Sequence, residues 1–259
     1  MFDYVRSHTM KHRFAHERQA ELRALLSEEG TVTVTPLAKR WKVSEMTVRR
    51  DLQALQAEGA VTRVHGGAVA GGTLRFGNRL AQHRREKTAA AGKLIGLLPA
   101  RGSIYLDGST TIYHLAEQLG RHSGLQVATN NLDTFLRLGQ CPGVEAVLIG
   151  GALNRGTDNL VGPHARRCLE GLAFDAAFFS TFALHAKLGP CEPAVEDAEI
   201  KQLVCARAAR VHLAVDQYKL AQQATGSWRF AADRAVLATD LPPNDARLKP
   251  FRTNFASIL

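Results

Sequence analysis

Six short apolar runs punctuate the last two-thirds of this 259-residue chain, and their alternation with helical stretches limits the fold more than any other feature. They are SIYLD (103–107), LQVATN (125–130), VEAVLIG (144–150), DAAFFST (175–181), VHLAVD (211–216) and RAVLATD (234–240). Buried strands separated by helices predict an open, mainly parallel sheet covered by helices, the α/β class. No internal repeat or low-complexity tract interrupts this order.

The first third follows a different rule. Ala15 to Glu29 reads as a helix with Leu22, Leu25 and Leu26 on one face, closed by Gly30. TVTV (31–34) is a short β-like run. Thr35 can cap a brief helix, PLAKRWK, with Pro36 at its first position. Ser44 caps a third helix reaching Ala57, and Gly59 ends it. AVTRV and AV then flank HGG as a small hairpin, with Gly66 and Gly67 allowing the tight turn. Three helices and a hairpin within this span are the order of a winged helix-turn-helix. AGGTLRFGN (70–78) reads as a connector, so the expected division is a basic arm at 1–14, a winged domain at 15–70, a linker at 71–88 and an α/β domain at 89–259.

Charge supports a polyanion partner for the first segment. Residues 1–88 hold 16 Lys/Arg against 9 Asp/Glu, while residues 89–259 hold 17 against 15. An excess of cations attracts nucleic acid without choosing its sequence, and a solvated basic face would look the same. The third helix sharpens this. With Val48 at zero on a helical wheel, Leu52 falls at about 40° and Leu55 at about −20°, a packing face. Arg50 falls at about 200° and Gln53 at about 140°, on the wet side, with Thr47 and Arg49 on the flanks. Hydroxyl, guanidinium and amide groups near a helix start suit a duplex groove, where arginine can grip a guanine edge or a phosphate through two hydrogen bonds. Ser44, Thr47, Arg49, Arg50, Gln53 and, from the hairpin, Arg63 and His65 are therefore the candidate DNA-contacting residues.

Polar residues cluster where the predicted strands end. LDGSTT (106–111) offers Asp107, Ser109, Thr110 and Thr111; TNN offers Thr129, Asn130 and Asn131; GGALN offers Gly150 and Gly151. EDAEIK adds Asp197 and Lys201, and DQYK adds Asp216 and Lys219. Ligands in open α/β sheets bind at the carboxyl ends of strands, and this set suits an anionic ligand such as a sugar phosphate. Lys201 and Lys219 would offset phosphate charge, while Asp107 and Asp197 would accept hydroxyl hydrogen bonds. A helix-capping role alone fits the same loop residues.

The stretch LSEEGTVTVTPLAKRWKVSEMTVRRDLQALQAEGAVTRVHGGA resembles the amino-terminal signature of the DeoR-type repressors of bacterial sugar metabolism. The Arg-Arg-Asp-Leu run and the Arg-Val-His-Gly-Gly-Ala wing carry most of the match. The resemblance implies that Ser44, Thr47, Arg49 and Arg50 face operator DNA. It extends over roughly 15–240 and implies an effector domain that shares a fold with ribose-5-phosphate isomerase and glucosamine-6-phosphate deaminase. Four places depart from the family pattern. Ser109 replaces a glycine in Asp-x-Gly-Thr-Thr, STFA (180–183) stands for Gly-Ala-Asp-Gly, Asp197–Ala198 for Glu-Ala, and DQYK for Asp-His-Ser-Lys.

The expected protein is thus a repressor whose operator affinity changes with a phosphorylated sugar. Paired half-sites would call for a dimer or tetramer. The alternative is a sugar-phosphate isomerase with an accessory domain, for which no acid–base pair stands out. No cofactor and no metal are expected. His8, His12 and His16 stand four apart, but a basic arm that touches DNA phosphates, or nothing at all, explains them better. No membrane anchor or secretory signal is legible, and the dispersed Cys141, Cys168, Cys191 and Cys205 suit a reduced, cytoplasmic setting.

Overall fold

The computed structural model describes residues 15–26, 31–57, 61–64, 66–70, 76–220 and 224–259. It separates into two compact units, residues 1–82 and 83–259.

In the first unit, helix α1 (15–26) is followed by β1 (Thr31–Thr33), α2 (Val34–Trp41), α3 (Glu45–Ala57), β2 (Val61–Val64), β3 (Gly67–Ala70) and α4 (Phe76–Ala81). The strands form one antiparallel sheet in the order β1-β3-β2. Leu22, Leu26, Val34, Leu37, Val48, Leu52 and Leu55 are buried together, so helical spacing on three short helices creates one core. Each fully buried leucine contributes about 2 kcal/mol of transfer free energy. A bidentate ion pair ties α1 to α3: Arg18 Nε and Nη2 donate to Asp51 at 2.7 and 3.2 Å.

Two sequence expectations shift here. Helix α2 begins at Val34, with Thr33 at its cap position, rather than capping at Thr35. The Thr35 hydroxyl is instead engaged with Glu45, 2.6 Å away. Within the stretch read as a 71–88 linker, Phe76–Ala81 is helical and a further helix starts at Arg84. Gly30, Gly59 and residues 1–14 lie outside the described residues.

The second unit opens with α5 (Arg84–Lys93) and continues with β4 (Gly102–Leu106), α6 (Thr110–Ala116), β5 (Leu125–Thr129), α7 (Leu132–Leu138) and β6 (Val144–Leu148). A hairpin of β7 (Ala152–Asn154) and β8 (Asn159–Val161) precedes α8 (Pro163–Glu170) and β9 (Ala176–Phe179). Then come β10 (Ala183–His185), β11 (Gly189–Glu192), α9 (Val195–Arg207), β12 (Val211–Val215), β13 (Gly226–Ser227), β14 (Ala235–Thr239) and β15 (Ser257–Ile258). Seven strands form a wholly parallel sheet in the order β15-β14-β12-β9-β4-β5-β6. All six expected strands are in it.

Alternation along the strands divides the core. Ile104, Leu106, Ala176 and Phe178 pack on one face, with Ala90, Leu94, Ile112 and Leu115. Tyr105, Ala177, Phe179, Leu213 and Val215 pack on the other, with Leu169, Ile200 and Val204. From β4 the chain adds β5 and β6 on one side, then returns to add β9, β12 and β14 on the other. The β4–β9 boundary is therefore the topological switch point, where ligands bind in open α/β sheets.

Candidate DNA-reading face and effector site

Burial of Val48, Leu52 and Leu55 fixes which side of α3 faces water. Arg49, Arg50 and Gln53 are exposed, and Thr47 is half-buried. Ser44 Oγ accepts from Thr47 N at 3.2 Å and lies 2.9 Å from the Thr47 hydroxyl, closing the helix start. Arg49 Nη2 reaches Glu45 Oε2 at 3.4 Å. The Thr35 hydroxyl first, and Arg49 second, hold the Glu45 carboxyl below its ordinary value. Arg50 has no ion pair or hydrogen bond among the described residues.

Arg63 lies on β2, paired in register with Ala68; His65 lies outside the described residues. The two glycines do different jobs. Gly66 takes a left-handed φ of 80°, whereas Gly67 leaves room for the Val32 carbonyl of β1. Asp51, absent from the candidate list, was visible on the wheel as a carboxylate on the packing side, which demands a partner.

At the switch point, Asp107 follows β4 and Ser180 follows β9. Asp107 Oδ1 accepts from Ser109 N at 3.0 Å and Ser109 Oγ at 2.5 Å. Its Oδ2 accepts from Ser180 N at 3.0 Å and faces Lys201 Nζ at 3.0 Å. Lys201 Nζ also donates to Glu192 Oε1 at 2.5 Å and the Ser180 carbonyl at 2.7 Å. Burial works against the Lys201 charge, but the Asp107 and Glu192 carboxylates outweigh it and hold its pKa above the ordinary value.

Lys219 enters from the turn that follows β12. Its Nζ lies 2.9 Å from Ser180 Oγ and 3.3 Å from Thr111 Oγ1, both within donating range. Burial lowers its pKa, opposed by Asp216 at 3.9 Å. Asp216 Oδ1 accepts from Tyr218 N, while Oδ2 is buried without a hydrogen-bond partner among the described residues.

The remaining candidates form a second, adjoining network. Asp197 accepts from Asn154 Nδ2 at 3.0 Å, Thr157 Oγ1 at 3.0 Å and Asn159 Nδ2 at 2.8 Å. Asn131 Nδ2 donates to Asn159 Oδ1 at 3.1 Å, and Thr129 Oγ1 accepts from Asn131 N at 3.3 Å. Asn130 binds the Tyr105 hydroxyl at 2.8 Å and the Leu160 carbonyl at 3.0 Å. Gly108 joins the two networks, because a Cβ there would collide with Asn159 and Asn131. Ser109 caps α6 through Ile112 N, and Thr110 and Thr111 are buried at its start. Gly151 sits against the Val161 carbonyl, a close approach inside the hairpin region, and Gly150 adjoins it. Glu192, Thr157 and Asn159 escaped the sequence reading because their partners, Lys201 and Asp197, lie on α9 and meet them only through the fold.

A winged helix-turn-helix unit joined to a parallel-sheet unit with a polar cluster at its switch point defines a two-part regulator. Comparison with known proteins gives the family: residues 18–72 match the DeoR-like helix-turn-helix domain, and residues 82–240 match the DeoR C terminal sensor domain. The chain belongs to the DeoR family of transcriptional regulators. It is 30% identical over 243 residues to the HTH-type transcriptional regulator GolR of Listeria innocua, covering 92% of this chain and 96% of that protein. The lactose phosphotransferase system repressor of Staphylococcus aureus is 31% identical over 215 residues, covering 80% and 85%. The HTH-type transcriptional regulator GlpR of Haloferax volcanii is 31% identical over 228 residues, covering 86% and 89%. Among solved structures, a D-ribose-5-phosphate isomerase in complex with phospho-erythronic acid aligns at a TM-score of 0.40 and 13% identity, over 52% of this chain and 53% of that one. Among the described residues, no helix is long and apolar enough to cross a membrane, and no group of three His, Cys, Asp or Glu could hold a metal ion.

Proposed function

We infer that this regulator represses genes of carbohydrate use, binding operator DNA through α3 and the wing and releasing or tightening its grip when a phosphorylated sugar occupies the switch point. The observation that carries the reading is a contrast between two cations. Among the described residues Arg50, on the exposed face of α3, has no ion pair or hydrogen bond, while Lys219 is half-buried beside two hydroxyls and 3.9 Å from Asp216 Oδ2, an oxygen without a hydrogen-bond partner there. Lys219, Ser180 and Thr111 suit a phosphate, and Asp216 Oδ2 suits a sugar hydroxyl. The lactose phosphotransferase name among the relatives points the same way. Ser44, Thr47, Arg49, Gln53, Arg63 and His65 complete the DNA face, and the arm at 1–14 adds phosphate contacts. The protein acts as a dimer or tetramer, since inverted half-sites require paired readers.

The same geometry argues against turnover. Asp107 and Asp197, the obvious bases for aldose–ketose chemistry, already accept from several donors each. A thermal-shift panel of phosphorylated sugars, followed by gel-shift titration with any that bind, tests the reading. A ligand that raises the melting temperature and alters operator affinity is the expected result. Conversion of ribose 5-phosphate or glucosamine 6-phosphate by the purified protein would overturn it.

A further inference from the structure

We infer that Tyr218 is a positioning residue, linking Lys219 mechanically to the backbone where the sensor unit begins. The inference rests on the sensing role proposed for Lys219. The boundary between the two compact units falls between Gln82 and His83. His83 is the residue before α5, and it holds a left-handed backbone at φ 48° and ψ 35°. That conformation is unfavourable for a residue with a Cβ and persists only where surroundings hold it. One of those surroundings is an aromatic ring. The His83 and Tyr218 rings stack with centroids 4.0 Å apart and planes 25° apart.

The other end of the link is stiff. Tyr218 sits in a one-turn 3-10 helix, Gln217–Lys219. Asp216 Oδ1 accepts from Tyr218 N at 3.1 Å, and Asp240 accepts from Gln217 N at 2.8 Å and Nε2 at 3.0 Å. A turn braced this way moves as one piece. Tyr218 therefore cannot stay still if Lys219 is drawn from Ser180 Oγ and Thr111 Oγ1 onto an anion. Beyond its first turn α5 is anchored, with Ala90, Ala91 and Leu94 buried in the sheet unit's core. Movement of the Tyr218 ring is thus delivered to His83 and the first turn of α5, where Lys87 N donates to the His83 carbonyl at 2.9 Å. Tyr218 is 48% exposed, a large ring left half in water at an otherwise fixed turn. Stacking on His83 gives that ring a use.

Hydrogen exchange on the full chain without ligand tests the link directly. Lys219→Met and Tyr218→Ala should each speed exchange across residues 84–88 by about tenfold. Tyr218→Phe, which keeps the ring, should match the wild type, and Lys219→Met combined with Tyr218→Ala should exchange no faster than Tyr218→Ala alone. Unchanged exchange in Lys219→Met, or additive effects in the double variant, overturns the link. In a second arm, ribose 5-phosphate, glucosamine 6-phosphate and hexose 6-phosphates are screened by thermal shift, then used in operator titrations. Tyr218→Ala should keep the ligand-induced rise in melting temperature yet lose the ligand's effect on operator affinity, to within about twofold of none. An equal operator response in the wild type and Tyr218→Ala overturns the link. If no probe stabilises the wild type, the sugar-phosphate reading falls, and the exchange result still decides the link.

Discussion

In the first unit α3 sends its polar groups outward, whereas in the second the strand ends send theirs inward. Arg50 is exposed and has no ion pair or hydrogen bond among the described residues, while Lys201 is buried and shared by Asp107, Glu192 and the Ser180 carbonyl. The difference teaches how the two roles divide. A cation kept in water costs nothing to hold and can be spent on a partner. A buried cation is already committed to the fold and can influence a ligand only through its neighbours. Lys219, half-buried and 3.9 Å from an Asp216 oxygen that has no hydrogen bond among the described residues, stands between these extremes.

The contrast breaks most visibly at Lys201. Lys201→Met leaves Asp107 and Glu192 buried without their cation and should destabilise the sensor unit by about 3 to 5 kcal/mol, measured by denaturant unfolding. A variant as stable as the wild type would show that the cluster is not structural. The neighbours Arg50 and Asp51 sharpen the same contrast within one helix. Asp51→Ala should cost about 2 kcal/mol of stability by stranding Arg18, a pair that is only partly exposed. Arg50→Ala should leave the melting temperature unchanged but weaken operator binding by about 2 kcal/mol, read by gel shift at fixed salt. Equal effects on stability and on binding for the two variants would erase the distinction.

The smallest effect is a pH dependence. His212, buried on β12 against Phe178 at 4.9 Å, has neither ring nitrogen hydrogen-bonded among the described residues, and burial first, then Arg210, lowers its pKa from 6.5 to about 4. The unfolded chain therefore binds the proton more readily. This contribution is fully present above pH 6.5 and is lost as pH falls toward about 4. His212→Phe should flatten the fall in melting temperature across that window, and an unaltered slope would assign it to other groups.

What the sequence made legible follows from the kind of signal involved. The face of α3 was readable because Val48, Leu52 and Leu55 repeat at helical spacing and push Arg50 and Gln53 outward. The six main strands were readable because each is an uninterrupted apolar run. The β7–β8 hairpin, the small sheet β10-β11-β13 and β15 are two to four residues each, too short to show a period. At the switch point, strand-end position singled out Asp107, Lys201 and Lys219, but not how their charges pair. Glu192 lies on β11, nine positions from Lys201, and nothing local couples them. Asp197 looked available for a ligand, yet Asn154, Thr157 and Asn159 occupy its oxygens, an arrangement that depends on the hairpin's fold.

Lys219→Met gives the most direct test of the account. Operator affinity of the wild type and of this variant would be titrated at one salt concentration, with and without the sugar phosphate that stabilises the wild type. The account predicts equal affinities without ligand and a ligand response only in the wild type. An undiminished response in Lys219→Met would contradict it.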